Sequence, residues 1–404
     1  MAAQCLIATS QTWPSTAALP ALFEQAGATV VSFSPGSLGL SGSVSERIRC
    51  SREARFAAAQ LRNVLSKRSF DAVVIADEIL LAALIESGEI GSNDGEWLPI
   101  DPSDRRATEI ALSKFSFVER ASEIGIRIPE SRFACSYDGA AEIARAFGYP
   151  VVLKGDRGFA GSQVRLCRDA VALRAACTEL LAHHSRIFVQ RYVRGYSVSV
   201  CVTYARGRVA AYKAYRAECC YPDAHSASTV HTSFDHPSIL ATARALGEAT
   251  GFHGLAGIDF MCDGDELYAL EINPRPTIGF TGTVANRAFF SESVRALLAG
   301  RIASDPVAYR GESKTETYFP GHLFYIARHL RRPGPAVWHR VLSCLREARL
   351  RDAKLFVWEI SRFVYDELKR GVNDRRDSTN RPSATSFFRS RPVVSVESIG
   401  TGMR

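Results

Sequence analysis

Along the first part of the chain the apolar positions switch between strand and helix spacing. Gln4–Thr9 reads as a strand, Thr16–Ala26 as a helix stopped at Gly27, and Thr29–Phe33 as a second strand, which is how a β-α-β unit begins. Asp71–Ala76 and the helical Glu78–Ser87 continue it. A small parallel α/β domain is therefore expected up to about Asp104, with Asp101–Asp104 as a linker. No G-x-G-x-x-G follows the first strand, so nothing assigns a dinucleotide there. Thr108–Ile124 has helical spacing, strand and helix patterns alternate from about Arg132 to Arg194, and a second lobe runs from Val198 to Gly282. Near the C-terminus His322–Leu330, Ala336–Leu350 and Leu355–Lys369 read as helices. The last carries Phe356, Ile360, Phe363 and Val364 at i, i+4, i+7 and i+8, an apolar stripe suited to packing.

The stretch Gly257–Arg275, GIDFMCDGDELYALEINPR, holds the most specific pattern. Two strand-like runs flank a turn. With a three-residue loop at Gly264–Glu266, Asp259 faces Glu271 across the hairpin. Gly257, Asp259 and Met261 then share a face with Glu271 and Asn273, while Ile258, Phe260, Tyr268, Leu270 and Ile272 point to the other. Opposed like charges with Cβ atoms about 5 Å apart repel, and a divalent cation reverses the sign. Two carboxylates and an amide oxygen, without clustered Cys or His, suit Mg²⁺ held partly by phosphates. Arg275, just beyond, offers a planar fork to a phosphoryl oxygen. For a lone hairpin, solvated surface acids are the commoner explanation; the upstream sequence reverses that preference.

Upstream, Gly148–Lys154 reads as a helix stop, a turn and a buried strand ending in lysine, followed by the glycine-bearing loop Gly155–Gln163 and a further strand at Val164–Cys167. A strand, loop, strand arrangement presents backbone N–H groups to phosphates as a flap. It is not a Walker A loop, since no Gly-Lys-Ser/Thr and no helix follow.

The order of these segments resembles the ATP-grasp superfamily over most of Ala107 to Gly282. Ser113-Lys114-Phe115 through Ile128-Pro129 looks like the family's first nucleotide lysine, Gly148–Lys154 like the second, Ile187–Gly195 like the adenine hinge, and Asp259 with Glu271-Ile272-Asn273-Pro274-Arg275 like the metal signature. The fold class implied is α/β, α+β within the nucleotide lobes: an N-terminal parallel α/β domain at 1–104, a two-lobed ATP-grasp domain at 105–305 with its lid lobe at about 130–197, a helical region at 306–370 and a disordered basic tail at 371–404. The resemblance implies ATP and Mg²⁺, with Mn²⁺ as an alternative, bound by Lys114, Lys154, Gly158, Gly161, Ser162, Gln190, Arg191, Val193 and Ser197, the metal on Asp259, Glu271 and Asn273, and catalysis by Arg275 and Lys154. Two positions depart from the family pattern: Gln190 stands at the usual hinge acid and Ser197 at the usual ribose glutamate. Phe159 adds an aromatic near the flap tip.

The chemistry implied is phosphorylation of a small carboxylic or amino acid by ATP, followed by attack of an amine or thiol that displaces phosphate and leaves ADP. Phosphoryl transfer spreads charge over equatorial oxygens, so positioned cations suffice and no enzyme nucleophile is needed. Alternatives are a ligase acting on a protein- or carrier-bound substrate and a non-catalytic ATP-binding module. Lys213 and Arg216 are weaker triphosphate candidates, equally readable as solvent-facing residues of an alternating strand. Ala217–Pro237 holds Cys219, Cys220, His225, His231 and His236 without zinc-site spacing, and reads as a substrate-covering loop.

At 404 residues, 46% hydrophobic and 23% charged, the chain can bury two or three domain cores. Ten cysteines without regular spacing or a secretory leader point to reduced thiols, and no run of about 18 apolar residues exists; a cytoplasmic location is expected. The net charge of +8 is uneven: residues 321–404 carry 17 Lys and Arg against 8 Asp and Glu, whereas the first 320 carry 33 against 34. That basic end suits a weak anionic partner, although packing on the lobes with a solvated outer face is favoured. No pattern for specific nucleic-acid reading is present.

Overall fold

Short β-branched runs in the N-terminal region pair in parallel because each is separated from the next by a helix or an excursion long enough to cross over. The computed structural model describes residues 2–87, 98–156, 161–220, 228–301, 305–309, 315–318, 321–329 and 352–365. Strands β1 (Gln4–Ala8), β2 (Thr29–Ser34), β3 (Val44–Arg49) and β4 (Ala72–Ile75) form a parallel sheet in the order β3-β2-β1-β4. The expected helix after β1 is two, Pro14–Ala17 and Leu19–Gln25, and Gly27 turns the chain at φ +94°. Helix Glu78–Glu86 follows β4, its N-cap Asp77 accepting from Leu80 N at 2.7 Å.

The expected helix 108–124 is also two, Arg105–Leu112 and Lys114–Arg120. Ser113 ends the first and caps the second, its Oγ accepting from Ser116 N at 3.1 Å, so Lys114 stands at a helix N-terminus.

A four-stranded antiparallel sheet follows, built from β5 (Ser131–Ala134), β6 (Val151–Lys154), β7 (Val164–Cys167) and β8 (Ile187–Arg191) in the order β5-β8-β6-β7. Helices Tyr137–Phe147 and Ala170–Leu181 close its core with Leu153, Val189, Leu173 and Leu180.

The third sheet contains β9 (Tyr196–Ala205), β10 (Arg208–Cys220), β11 (Ser228–Ser233), β12 (Gly254–Asp263), β13 (Glu266–Asn273), β14 (Val307–Ala308) and β15 (Thr315–Thr317). Its order is β13-β12-β9-β10-β11-β15, with β14 beside β10. Helix Val284–Leu298 packs Phe290 and Val294 into the same cluster as Leu22, Phe23 and Ile7 of the N-terminal sheet layer. This shared core fixes the first sheet against the third and so sets what the N-terminal region presents to the site.

Helix Gly321–His329 matches the expected His322–Leu330; the expected helix Ala336–Leu350 lies outside the described residues, as does the tail beyond 365. Residues 353–365 are helical, but the apolar stripe reading is corrected. Ile360 and Val364 are exposed, while Leu355 is buried together with Asp352 and Glu359. Asp352 Oδ1 accepts from Ser41 Oγ at 3.0 Å and Gly42 N at 2.8 Å, and Arg362 donates to Thr12 O and, at 3.0 Å, to Thr12 Oγ1. Polar anchors dock this helix; of the stripe, Phe363 stacks on Phe324 at 4.4 Å. Among the described residues no helix is long and apolar enough to cross a membrane, and nine cysteines are free thiols.

Candidate active site

The hairpin of β12 and β13 opposes Asp259 to Glu271, as the sequence suggests, by a different route. The turn between Asp263 and Glu266 has two residues, and Leu270 is an extra residue that restores the register at Glu271. A β-bulge of this kind exchanges the faces on its two sides. Leu267 and Ala269 therefore enter the core with Ile258, Phe260 and Ile272, and Tyr268 pairs with Met261 on the face first assigned to the ligands; the expected inward position of Tyr268 is corrected.

On the ligand face Asp259 takes hydrogen bonds from Ser199 Oγ at 2.6 Å and Asn273 Nδ2 at 2.9 Å. Burial, and then the charge of Glu271, push its carboxyl above the usual range. Glu271 is ion-paired with Lys114. Burial would raise Glu271, but the charge and hydrogen bond of Lys114, backed by Lys154 and Arg275, hold it below the usual carboxylate range. Lys114 feels burial pulling its pKa down and Glu271, Glu78 and Asp259 pulling it up, and the acids prevail. Lys154, at the end of β6, lies over the Phe188 ring at 5.7 Å; burial, only partly offset by Glu271 and reinforced by Lys114, lowers it to about 8.

The flap root is tied to the Lys114 helix. Asp156 Oδ1 accepts from Ser113 Oγ at 2.7 Å and Phe115 N at 3.1 Å. A Cβ on Gly155 would lie 2.5 Å from His184 Nε2, so a larger residue there would displace that imidazole. Gly161 sits at φ +72°, and Ser162 lines a cavity of about 480 Å³ with Glu78, Ser113, Lys114, Asp156, Glu271 and Asn273. Gly158 and Phe159 lie outside the described residues.

The hinge residues are placed apart from that cavity. Gln190 is buried in β8 with its amide donating to Ser131 Oγ at 2.9 Å, and Arg191 turns to Glu130 at 2.7 Å and to Phe147 O at 3.2 Å. Val193 is half-buried in the connection to β9. Ser197 shares the face of Ser199 and contacts Met261 Sδ at 3.6 Å, in line with Asp259 along the same strand pair.

Arg275 reaches across to the N-terminal region. Its Nε donates to Glu78, Nη2 lies 3.5 Å from Asn273 Oδ1, and the guanidinium sits 4.8 Å from the Trp13 ring centroid. Sequence spacing gives no hint of Glu78 or Trp13, because their approach to Arg275 depends on the packing of the first sheet on the third. Lys213 is buried rather than solvent-facing: it pairs with Glu316 and donates to Asn286 Oδ1 at 2.7 Å. Arg216 lies over Tyr196 and 3.3 Å from Glu218. His231 is buried in a stack on Tyr215 at 3.6 Å, and burial holds it neutral, well below its ordinary pKa. His236 instead caps helix Pro237–Thr250, accepting from Ser238 N at 3.1 Å, so the two histidines share no ligand. Among the described residues no group of three or more His, Cys, Asp or Glu could hold a metal; the donor set of two carboxylates and an amide fits a cation that phosphate oxygens help to bind.

A family model described as an ATP-grasp domain matches residues 111–279. A D-alanine–D-alanine ligase of Geobacter sulfurreducens is 25% identical over 194 residues, 44% of this chain and 60% of that protein; the chain spans less than two thirds of the curated relatives it matches first. The biotin carboxylase domain of the Hydrogenobacter thermophilus 2-oxoglutarate carboxylase, solved with MgADP and bicarbonate, has a TM-score of 0.58 at 15% identity, over 76% of this chain and 72% of that one. An L-amino acid ligase from Bacillus licheniformis has a TM-score of 0.54 at 17% identity, over 73% and 74%. These likenesses are of fold; the match to an ATP-grasp domain belongs to residues 111–279, which are less than half of the chain.

Proposed function

We propose that the protein is an ATP-dependent ligase that activates a small carboxylate as its acyl phosphate and joins it to an amine, releasing ADP and phosphate. The observation that carries this reading is the gathering of Lys114, Glu271 and Asn273 on one cavity, with Asp259 and Lys154 close enough for their charges to act on Glu271 and Lys114. A site for nucleotide binding alone would not require a catalytic arginine beside the metal set. The nearest chemistry among the likenesses is that of the D-alanine–D-alanine ligase and the L-amino acid ligase, and the structure solved with MgADP supports ATP with Mg²⁺.

Asp259, Glu271 and Asn273 would hold Mg²⁺, which would neutralise charge on the transferring phosphoryl group. The protein's own groups supply the rest. Lys154 and Lys114 hold phosphate oxygens, Lys114 leaving Glu271 to do so; Ser162 and Gly161 offer donors from the flap root; and Arg275 stabilises the phosphoryl and acyl oxygens as charge moves between them. Gln190, Arg191, Val193 and Ser197 are proposed to meet the adenosine, Gln190 and Arg191 through backbone groups, because their side chains are engaged elsewhere.

The test is Mg²⁺-dependent ADP release by purified protein across amino and carboxylic acids offered singly and in pairs. Release that needs a carboxylate and an amine together, and that Glu271→Gln loses, is the expected result. Release indifferent to the acids, or unchanged in the variant, would sink the assignment.

A further inference from the structure

We propose that Glu78, contributed by the N-terminal sheet layer, is the catalytic residue that receives the attacking amine; this rests on the ligase reading above. Its carboxylate is fixed at the first position of helix Glu78–Glu86. The neighbouring N-cap Asp77 is clamped by Leu80 N at 2.7 Å, Ser10 N at 2.7 Å and Thr9 Oγ1 at 2.8 Å, so the helix end cannot shift without breaking buried hydrogen bonds. Glu78 lines the same cavity as Lys114, Glu271 and Asn273, from an element that the nucleotide lobes do not supply.

Charge accounting singles it out. Asp259 and Glu271 are assigned to the metal and Lys114, Lys154 and Arg275 to oxyanions, which leaves a cationic nucleophile without an anionic partner. Two other carboxylates line the cavity: Asp156 is engaged at the flap root by Ser113 Oγ and Phe115 N, and Glu86 lies two helical turns, ~12 Å, from Glu78. The hydrogen bond from Arg275 engages Oε2 of Glu78, and a carboxylate accepts at both oxygens. When the acyl phosphate forms, its oxygens compete for Arg275; the guanidinium that moves to them leaves Glu78 facing an ammonium in its place. One cation replaces another, and the buried charge stays balanced.

The reaction step follows. The ammonium R–NH₃⁺ gives one proton to the Glu78 carboxylate, and the freed nitrogen lone pair forms the C–N bond at the acyl carbon. The acyl C–O bond to phosphate breaks, its electron pair leaves with the phosphate, and that phosphate takes the second nitrogen proton.

Hydroxylamine separates this step from activation, because it is uncharged near neutral pH and captures an acyl phosphate as a hydroxamate without needing an ammonium site. With the full chain, Mg·ATP and each acid of the panel, hydroxamate and amide formation are measured for wild type, Glu78→Gln and Glu78→Asp. The expected result is that Glu78→Gln shifts the ratio of amide to hydroxamate down by about 10²-fold, the low end for loss of a positioned acid or base, and that Glu78→Asp restores part of it. A thermal midpoint matching wild type separates chemistry from misfolding, and if Glu78→Gln does not fold, Glu78→Asp alone must lower the ratio. Equal losses of both products would overturn the proposal, because Glu78 would then act on activation through Arg275; an unchanged ratio would overturn it as well. Absence of hydroxamate from wild type with every carboxylate would instead bring down the ligase reading beneath it.

Discussion

Two lysine–glutamate pairs draw their glutamates from the same large sheet and do different work. Lys114 with Glu271 borders the cavity, and the glutamate's side chain keeps 29% of its exposure. Lys213 with Glu316 is sealed, at 1% and 8%. The sealed ammonium has an acceptor for each of its three protons, in Glu316, Asn286 Oδ1 and the Tyr318 hydroxyl at 3.5 Å. Glu316 in turn takes Asn286 Nδ2 at 3.0 Å and Tyr309 OH at 3.1 Å. Saturation of donors and acceptors marks the second pair as structural. The first pair opens on water and can exchange partners with a phosphate or a cation, which makes it usable.

The largest test of this contrast is Lys213→Met. Removing one member of a buried pair should cost about 3–5 kcal/mol, and the double variant Lys213→Met/Glu316→Leu should recover most of it; urea unfolding measures both. Loss of ADP release with stability intact would erase the distinction. Glu271→Gln should do the opposite, lowering kcat/KM for ADP release by about 10²–10³ while the urea midpoint moves little. A smaller effect is expected from Lys154. Because its pKa is depressed to about 8, the charged form that meets phosphate is held below that pH and lost above it. Calorimetric affinity for Mg·ATP should therefore be flat below pH 8 and fall by up to about tenfold per unit above it.

The smallest effect concerns Glu359, whose pKa is raised by burial from 4.5 to about 8 against the opposing charge of Arg362. Between those values the unfolded chain has released the proton and the folded chain keeps it, so stability falls as pH rises through this window. Glu359→Gln should remove that slope and raise the melting midpoint by a few degrees at pH 8.

Much of this arrangement is legible in the sequence where it depends on local order. The lysine closing β6 and the parallel start of the chain follow from alternation and turn residues, and Asp259 opposes Glu271 as expected although the turn is shorter than the one the sequence suggests. Tyr268 is misassigned because a bulge at Leu270 and a shorter turn compensate each other, and local pattern cannot distinguish that pair of changes from none. The Ser113 break is hidden because helical spacing continues across it, although Ser, as a strong N-cap residue, is a signal that was available. Glu78, Trp13 and the polar docking of residues 352–365 are invisible for a different reason. Each joins positions far apart in the chain, and charged residues on an amphipathic helix normally read as its solvent side.

That docked helix also decides where the chain could be cut. Thr12, held by Arg362, directly precedes Trp13, which covers Arg275. A cassette trimmed to the matched residues 111–279 would keep the arginine but lose its cover from one end and the brace on that cover from the other. The smallest transplantable unit that keeps Arg275 in its present setting therefore begins before Thr12 and includes Arg362.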